Sequence, residues 1–236
     1  MLIFTIASTK GGVGKSTFIL NLATFIQSLG KKVAVLDADT QGTVNKWNKV
    51  REYIRNDSND DIQPLFVASA RGEVLLEIAN DKKNQGYVVL IDSPGVDDSN
   101  MRGALLRSDY VITSCPPSPV DLWEVESLID ILKKLRNIQN RKIPLILFFN
   151  KVPPRHSDIV VKEANGFLKT NNINPDYIVP TYICERASLK HSIKDGRGVV
   201  EYSPTDQKAI NEIKNCYNDI EKYIASTKYN IQSLYN

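Results

Sequence analysis

The chain has 236 residues, 42% of them hydrophobic and 24% charged, with a formal net charge of +3. That length and balance suit one globular domain with one sizeable core, and exclude a disordered or fibrous chain. The mild basic excess does not announce a nucleic-acid binder, and no apolar run is long enough to cross a bilayer.

Met1–Ile6 carry no charged leader pattern, so no signal peptide is expected. The three cysteines, Cys115, Cys184 and Cys216, lack metal or redox spacing, and a reduced, cytoplasmic chain is the simple reading. His156 and His191 are isolated and receive no role.

Apolar runs alternate with helical patterns, which predicts an α/β fold: one domain over 1–236, with a mostly parallel twisted sheet and helices on both faces. Strands are expected at 2–7, 32–36, 63–67, 87–91, 110–113, 145–149 and 177–179. Several are continuously apolar, as strands covered on both faces are. Helices are expected at 17–29, 44–53, 72–80, 122–135, 159–168 and 207–224. Pro119 or Asp121 suits the start of the helix at 122–135 and Ser203-Pro204 that of the last. The polar stretch 55–61 reads as a loop, and the tail after Lys228 as an end that frays.

The first strand runs into Lys10-Gly11-Gly12-Val13-Gly14-Lys15-Ser16, and a helical pattern follows. A strand that ends in a glycine turn and opens into a helix is a phosphate cradle. The glycines allow successive N–H groups to point at phosphate oxygens, and the helix N-terminus adds free N–H groups and its positive dipole end. Lys15 supplies a point charge for the β and γ phosphates, and the Ser16 hydroxyl is a Mg²⁺ ligand. The ordinary pattern begins with glycine where this chain has Thr9, and Lys10 fills the position after it.

Asp37 and Asp39 follow the second strand, in Asp37-Ala38-Asp39-Thr40-Gln41-Gly42. Spacing alone leaves two readings open, a pair beside phosphates and metal or a solvated acidic loop. Asp92 ends the run Val88-Val89-Leu90-Ile91 and precedes Ser93-Pro94-Gly95, the Walker B arrangement that holds Mg²⁺ directly or through water. Gly95 is placed to give its N–H to a terminal phosphate and 96–101 to switch between states. Pro116, Pro117 and Pro119 make a stiff loop after the fifth strand that cannot join a ladder. Asn150-Lys151 resembles the start of a guanine-recognition motif, but Pro153 stands at its aspartate position, so guanine specificity is not expected. Asn150 then either touches adenine through its amide or caps the strand end. Arg186, Lys190 and Lys194 share helical spacing and form either one basic stripe or a solvated face.

The double-lysine loop resembles the deviant Walker A motif, Lys-Gly-Gly-x-Gly-Lys-Ser/Thr, of the ParA/MinD family of ATPases. The resemblance covers the chain from Leu2 to about Ile193, and the small, ParF-type partition ATPases are the most similar subgroup. It implies that Lys10 through Thr17 bind the nucleotide, and that Lys10 reaches across a homodimer formed on ATP binding to the partner's nucleotide. Asp37-x-Asp39-x-Gln41 resembles the family's Asp-x-Asp-x-Gln element, with Thr40 where proline is usual; Asp39 then sets the attacking water and Asp37 stands near the metal. By this likeness Lys10, Lys15 and Asp39 are catalytic, and Ser16, Asp37 and Asp92 hold Mg²⁺. The proline loop and Lys46-Trp47 resemble stretches of the ParF-type group, the proline stretch lying at its subunit contact. The Arg186 segment resembles a late basic segment of that group.

The expected function is therefore an ATP-dependent DNA partition ATPase that binds DNA without sequence preference through Lys and Arg, with Arg186, Lys190 and Lys194 as candidates. A small centromere-binding adaptor is its expected partner, and the nucleoid its expected location when ATP-bound. A conjugative DNA-transfer ATPase of the same group would share every motif. A MinD-like membrane switch should end in a basic amphipathic helix, and the weakly basic tail argues against stable membrane association. A non-enzymatic nucleotide sensor is the remaining rival, and Asp39 and Asp92 argue against it.

Overall fold

The computed structural model describes residues 1–57, 62–202 and 206–233, with side chains placed in 1–56, 62–202 and 206–227. In chain order the elements are β1 (Ile3–Ile6), α1 (Lys15–Ser28), β2 (Val33–Asp37), α2 (Thr43–Asp57), β3 (Phe66–Ser69), α3 (Gly72–Asn84), β4 (Val88–Asp92) and α4 (Ser99–Arg107). They continue as β5 (Tyr110–Cys115), α5 (Pro119–Gln139), β6 (Leu145–Phe149), α6 (Ser157–Thr170), β7 (Tyr177–Ile178), α7 (Ala187–Lys194), α8 (Val199–Tyr202) and α9 (Gln207–Ser233).

The strands form one sheet in the order β3-β2-β4-β1-β5-β6-β7, parallel at every pairing. Alternate strand residues feed opposite faces. Phe4 and Ile6 join Phe18, Leu22, Ile213 and Ile220 of α1 and α9 on one face. Val111, Leu145 and Leu147 meet Leu128 and Leu132 of α5 on the other, where Ile3 and Val89 meet Leu75 of α3. Strands buried on both faces have no polar side to alternate with, which is why they read as unbroken apolar runs. All three cysteines are buried. No helix among the described residues is long and apolar enough to cross a membrane.

Four local differences from the sequence expectation stand out, the first two with visible physical causes. β3 begins at Phe66 rather than residue 63, because Gln27 and Arg51 hold the carbonyls of Pro64 and Gln63, and proline has no N–H for a ladder. Helix α4 occupies part of the stretch read as a switch, and Asp98 caps it by accepting from the Met101 N–H (2.7 Å). Helix α2 runs through Asp57, so the expected loop at 55–61 begins later, and residues 58–61 lie outside the described residues. The Ser203-Pro204 start signal also lies outside them. Helix α9 begins at Gln207 and stays helical through Ser233, past the point expected to fray.

Candidate nucleotide site

Parallel sheets present their ligands' contacts beyond the carboxyl ends of the strands, and here the register brings the motifs together. Ile6 of β1 and Asp37 of β2 are both paired with Asp92 of β4. From β1 the chain turns sharply and enters α1 at Lys15. Gly12 (φ 77°) and Gly14 (φ 97°) lie in the left-handed region, and a Cβ on Gly14 would fall 2.5 Å from Asn150 Nδ2. The loop therefore needs glycine on both grounds. A Cβ on Gly95 would meet Gly11 Cα at 3.0 Å and Lys15 Nζ at 3.2 Å, so a side chain there would fill the cradle.

Lys15 is buried, and its Nζ donates to Ser8 Oγ (3.1 Å). Burial pulls its pKa down, opposed by the charges of Asp92 and Asp39. Ser16 Oγ donates to Asp92 Oδ2 (2.6 Å). Asp92 is fully buried, and its Oδ1 has no hydrogen-bond partner among the described groups. Burial raises its carboxyl to about 7 despite the Ser16 hydrogen bond and Lys15, and Asp37 and Asp39 push it the same way. A buried acceptor left open beside a serine hydroxyl fits a hard divalent cation, whose oxygen shell Mg²⁺ usually completes with phosphate and water. That completion is required, since no group of three or more His, Cys, Asp or Glu among the described residues could hold a metal by itself.

The raised pKa carries a stability consequence. Between the ordinary carboxylate range and about pH 7 the folded chain holds a proton on Asp92 that the unfolded chain has lost. The metal-free protein thus loses stability as pH rises through that window. Asp92→Asn removes this slope, so thermal melts in chelator should show the variant gaining on wild type from pH about 5 to about 7.5. Parallel wild-type and variant curves would contradict the buried, protonated carboxyl.

Asp37 is also fully buried, and its oxygens accept the N–H groups of Asp39 (3.2 Å) and Asn45 (3.0 Å). Its carboxylate ties the acidic loop to the first turn of α2, and burial raises its pKa. Asp39 is partly exposed and accepts the Gln41 N–H (2.9 Å). Arg71, which the sequence did not flag, braces this loop through the carbonyls of Ala38 (3.4 Å) and Asp39 (3.3 Å).

Lys10 lies at the other wall. Its Nζ pairs with Asp121 Oδ1 of α5 at 2.8 Å, and that hydrogen bond and charge raise its pKa. Ser118 caps α5 and donates to the second oxygen of Asp121 (2.5 Å). Thr9 donates to Glu124 Oε2 (2.5 Å). Thr9, which departs from the ordinary loop pattern, and Lys10 beside it are thus both bound to α5 of their own chain. The proline loop serves as the lead-in to this helix, with Pro119 in its first turn.

A small cleft of about 40 Å³ adjoins the loop, lined by Gly14, Thr17, Asn150, Lys151, Arg186 and Lys190 among others. Asn150 Nδ2 donates to Val13 O (3.0 Å), and Lys151 donates to Gly12 O, so both brace the loop from beneath. The expected basic stripe is broken. Arg186 precedes α7 in extended backbone and spends its guanidinium on Glu212 of α9 (2.5 and 3.0 Å). Lys190 pairs with Glu185 (2.6 Å), and Lys194 is exposed in the last turn. Trp47 is buried inside its own chain, where its Nε1 donates to Arg197 O (3.3 Å).

A glycine loop with a covered lysine, facing a carboxylate delivered by a neighbouring strand, is the hallmark of a P-loop nucleotide-binding protein. Residues 4–199 match the CobQ/CobB/MinD/ParA nucleotide binding domain, and the chain belongs to that family. It is 22% identical to maintenance of carboxysome distribution protein A of Halothiobacillus neapolitanus, over 91% of this chain and 94% of that protein. Chromosome partitioning protein ParA of Caulobacter vibrioides is 30% identical over 49% of this chain, which spans 48% of that relative. Among solved structures, a plasmid partition protein of Borrelia burgdorferi B31 bound to AMPPNP aligns with a TM-score of 0.66. That alignment has 22% identity and covers 94% of this chain and 99% of the other. The parallel sheet flanked by helices matches that fold.

Proposed function

We propose that the chain is a Mg²⁺-dependent ATPase that partitions DNA. ATP joins two copies, the pair binds DNA without regard to sequence, and a small centromere-binding adaptor stimulates hydrolysis to release it. The observation that carries the nucleotide reading is the open Oδ1 of Asp92 beside Ser16 and the covered Lys15. The partition reading draws support from relatives named for partition and distribution.

In this reading the loop N–H groups and Lys15 hold the phosphates, and Lys15 exchanges its Ser8 contact for them. Ser16 and Asp92 hold Mg²⁺, which when bound offsets phosphate charge. Asp39 orients the attacking water from its braced loop. Asn150 fixes the loop's shape under the nucleoside. Lys10 leaves Asp121 to reach the partner's nucleotide, exchanging one anionic contact for another. Catalysis of this kind is positioning and charge stabilisation, which gives slow turnover until a partner improves it.

Asp39→Ala tests the assignment of the water. ATP binding should persist, phosphate release should fall about 100-fold or more, and the ATP-bound dimer should outlast that of the wild type in light scattering. A variant with normal turnover would remove Asp39 from the mechanism.

A further inference from the structure

We propose that the exposed face of α2 is a DNA-backbone contact surface, with Lys46 and Lys49 as phosphate ligands and Lys190 and Lys194 of α7 extending it. This rests on the DNA-binding reading above and replaces the broken Arg186 stripe with a surface the fold builds.

Helix α2 divides sharply. Val44, Trp47 and Arg51 point inward and are buried. Lys46, Lys49, Val50 and Tyr53 are exposed and fall at i, i+3, i+4 and i+7, on one face. Tyr53 is 68% exposed. An aromatic ring held in solvent on the same face as two lysines can contact a sugar–phosphate backbone through its ring and hydroxyl. Neither Lys46 nor Lys49 pairs with a carboxylate among the described residues; the neighbouring Glu52 is taken by Arg55 (2.9 Å).

The end of α7 is locked against this helix. Arg51 Nη1 donates to Gly196 O (3.1 Å) and Trp47 Nε1 to Arg197 O (3.3 Å). Gly196 (φ 62°) presses so closely that a Cβ there would lie 2.5 Å from Arg51 N and 3.0 Å from Val50 C. Residues 194–197 therefore border the Val50 flank, and Lys194 adds an exposed cation beside the lysines of α2. The carboxylates at this surface among the described residues are Glu52 on Arg55, Glu185 on Lys190 and Asp195 next to Lys194. Lysines are point charges on flexible stems, suited to phosphates rather than to reading base edges. With only Val50 and Tyr53 as large exposed apolar groups among its described residues, α2 lacks the stripe that a membrane-surface helix needs.

The surface is also wired to the phosphate end. Lys46 follows Asn45, whose N–H is held by Asp37 in the same loop as Asp39. A shift of that loop with nucleotide would move the first turn of α2, and the DNA contacts with it.

The test measures binding of a labelled mixed-sequence duplex with ATP–Mg²⁺, by fluorescence anisotropy, at salt from about 50 to about 300 mM. Lys46→Ala with Lys49→Ala should weaken binding about tenfold or more at fixed salt. It should also reduce the slope of log K against log salt by about two for each protomer that contacts the duplex. Lys46→Arg with Lys49→Arg should restore both, and basal ATP turnover without DNA should be unchanged in every variant. Wild-type affinity and slope in the alanine pair would overturn the surface while leaving DNA binding intact. A wild-type chain that ignores DNA, or pellets with anionic phosphatidylglycerol vesicles instead, would overturn both the surface and the reading beneath it.

Discussion

Lys15→Ala should abolish productive ATP binding. The ammonium is buried at the floor of the loop, and its one hydrogen-bond partner among the described residues is a neutral hydroxyl, so it is desolvated in advance and held ready for anionic oxygens. Charge-assisted contacts in such a setting are short, and losing one costs about 3 kcal/mol or more, about a hundredfold. The fold itself should survive, because burial already disfavours the charge and buried Asp92 can stay protonated without it. Titration with a fluorescent ATP analogue and phosphate release are the measurements, with Lys15→Met as a shape control. Unimpaired binding in both variants would sink the site.

Arg51→Ala should be strongly destabilising. The side chain is completely buried on α2. It donates to both oxygens of Glu201 (2.7 and 2.9 Å) and to the carbonyls of Gln63 (2.9 Å) and Gly196 (3.1 Å), and it stacks over Trp47 at 5.1 Å. One guanidinium thus ties α2 to α8 and to the lead-in of β3. Truncation leaves a carboxylate and two carbonyls without their donor, a loss of about 3 to 5 kcal/mol. Urea denaturation would show it. Arg51→Met combined with Glu201→Leu should recover part of the deficit by removing both charges, although Glu201 also accepts the Gly198 N–H. A deficit below about 1 kcal/mol in Arg51→Ala would mean that the pair is solvated.

The strands were legible because burial on both faces writes them as unbroken apolar runs, and the phosphate loop because its spacing is its geometry. Helix α4 was not, since Gly103 and a polar start dilute its pattern; the readable signal was the Asp98 cap. Lys10 was legible as unusual, but its tie to Asp121 joins residues 111 apart in sequence. Arg51 reads in sequence as one more solvated charge, and only the fold places Glu201, 150 residues on, beside it. Arg186 was read by spacing, which says nothing about Glu212 arriving from the last helix.

The hidden thiols have a practical consequence. Cys115, Cys184 and Cys216 are all covered, and burial raises each pKa, that of Cys184 to about 11. Native sulfur should therefore stay almost wholly unreactive toward maleimide dyes at neutral pH. A single cysteine introduced at an outward position would take a fluorophore alone, with no need to strip the chain of its own sulfur first.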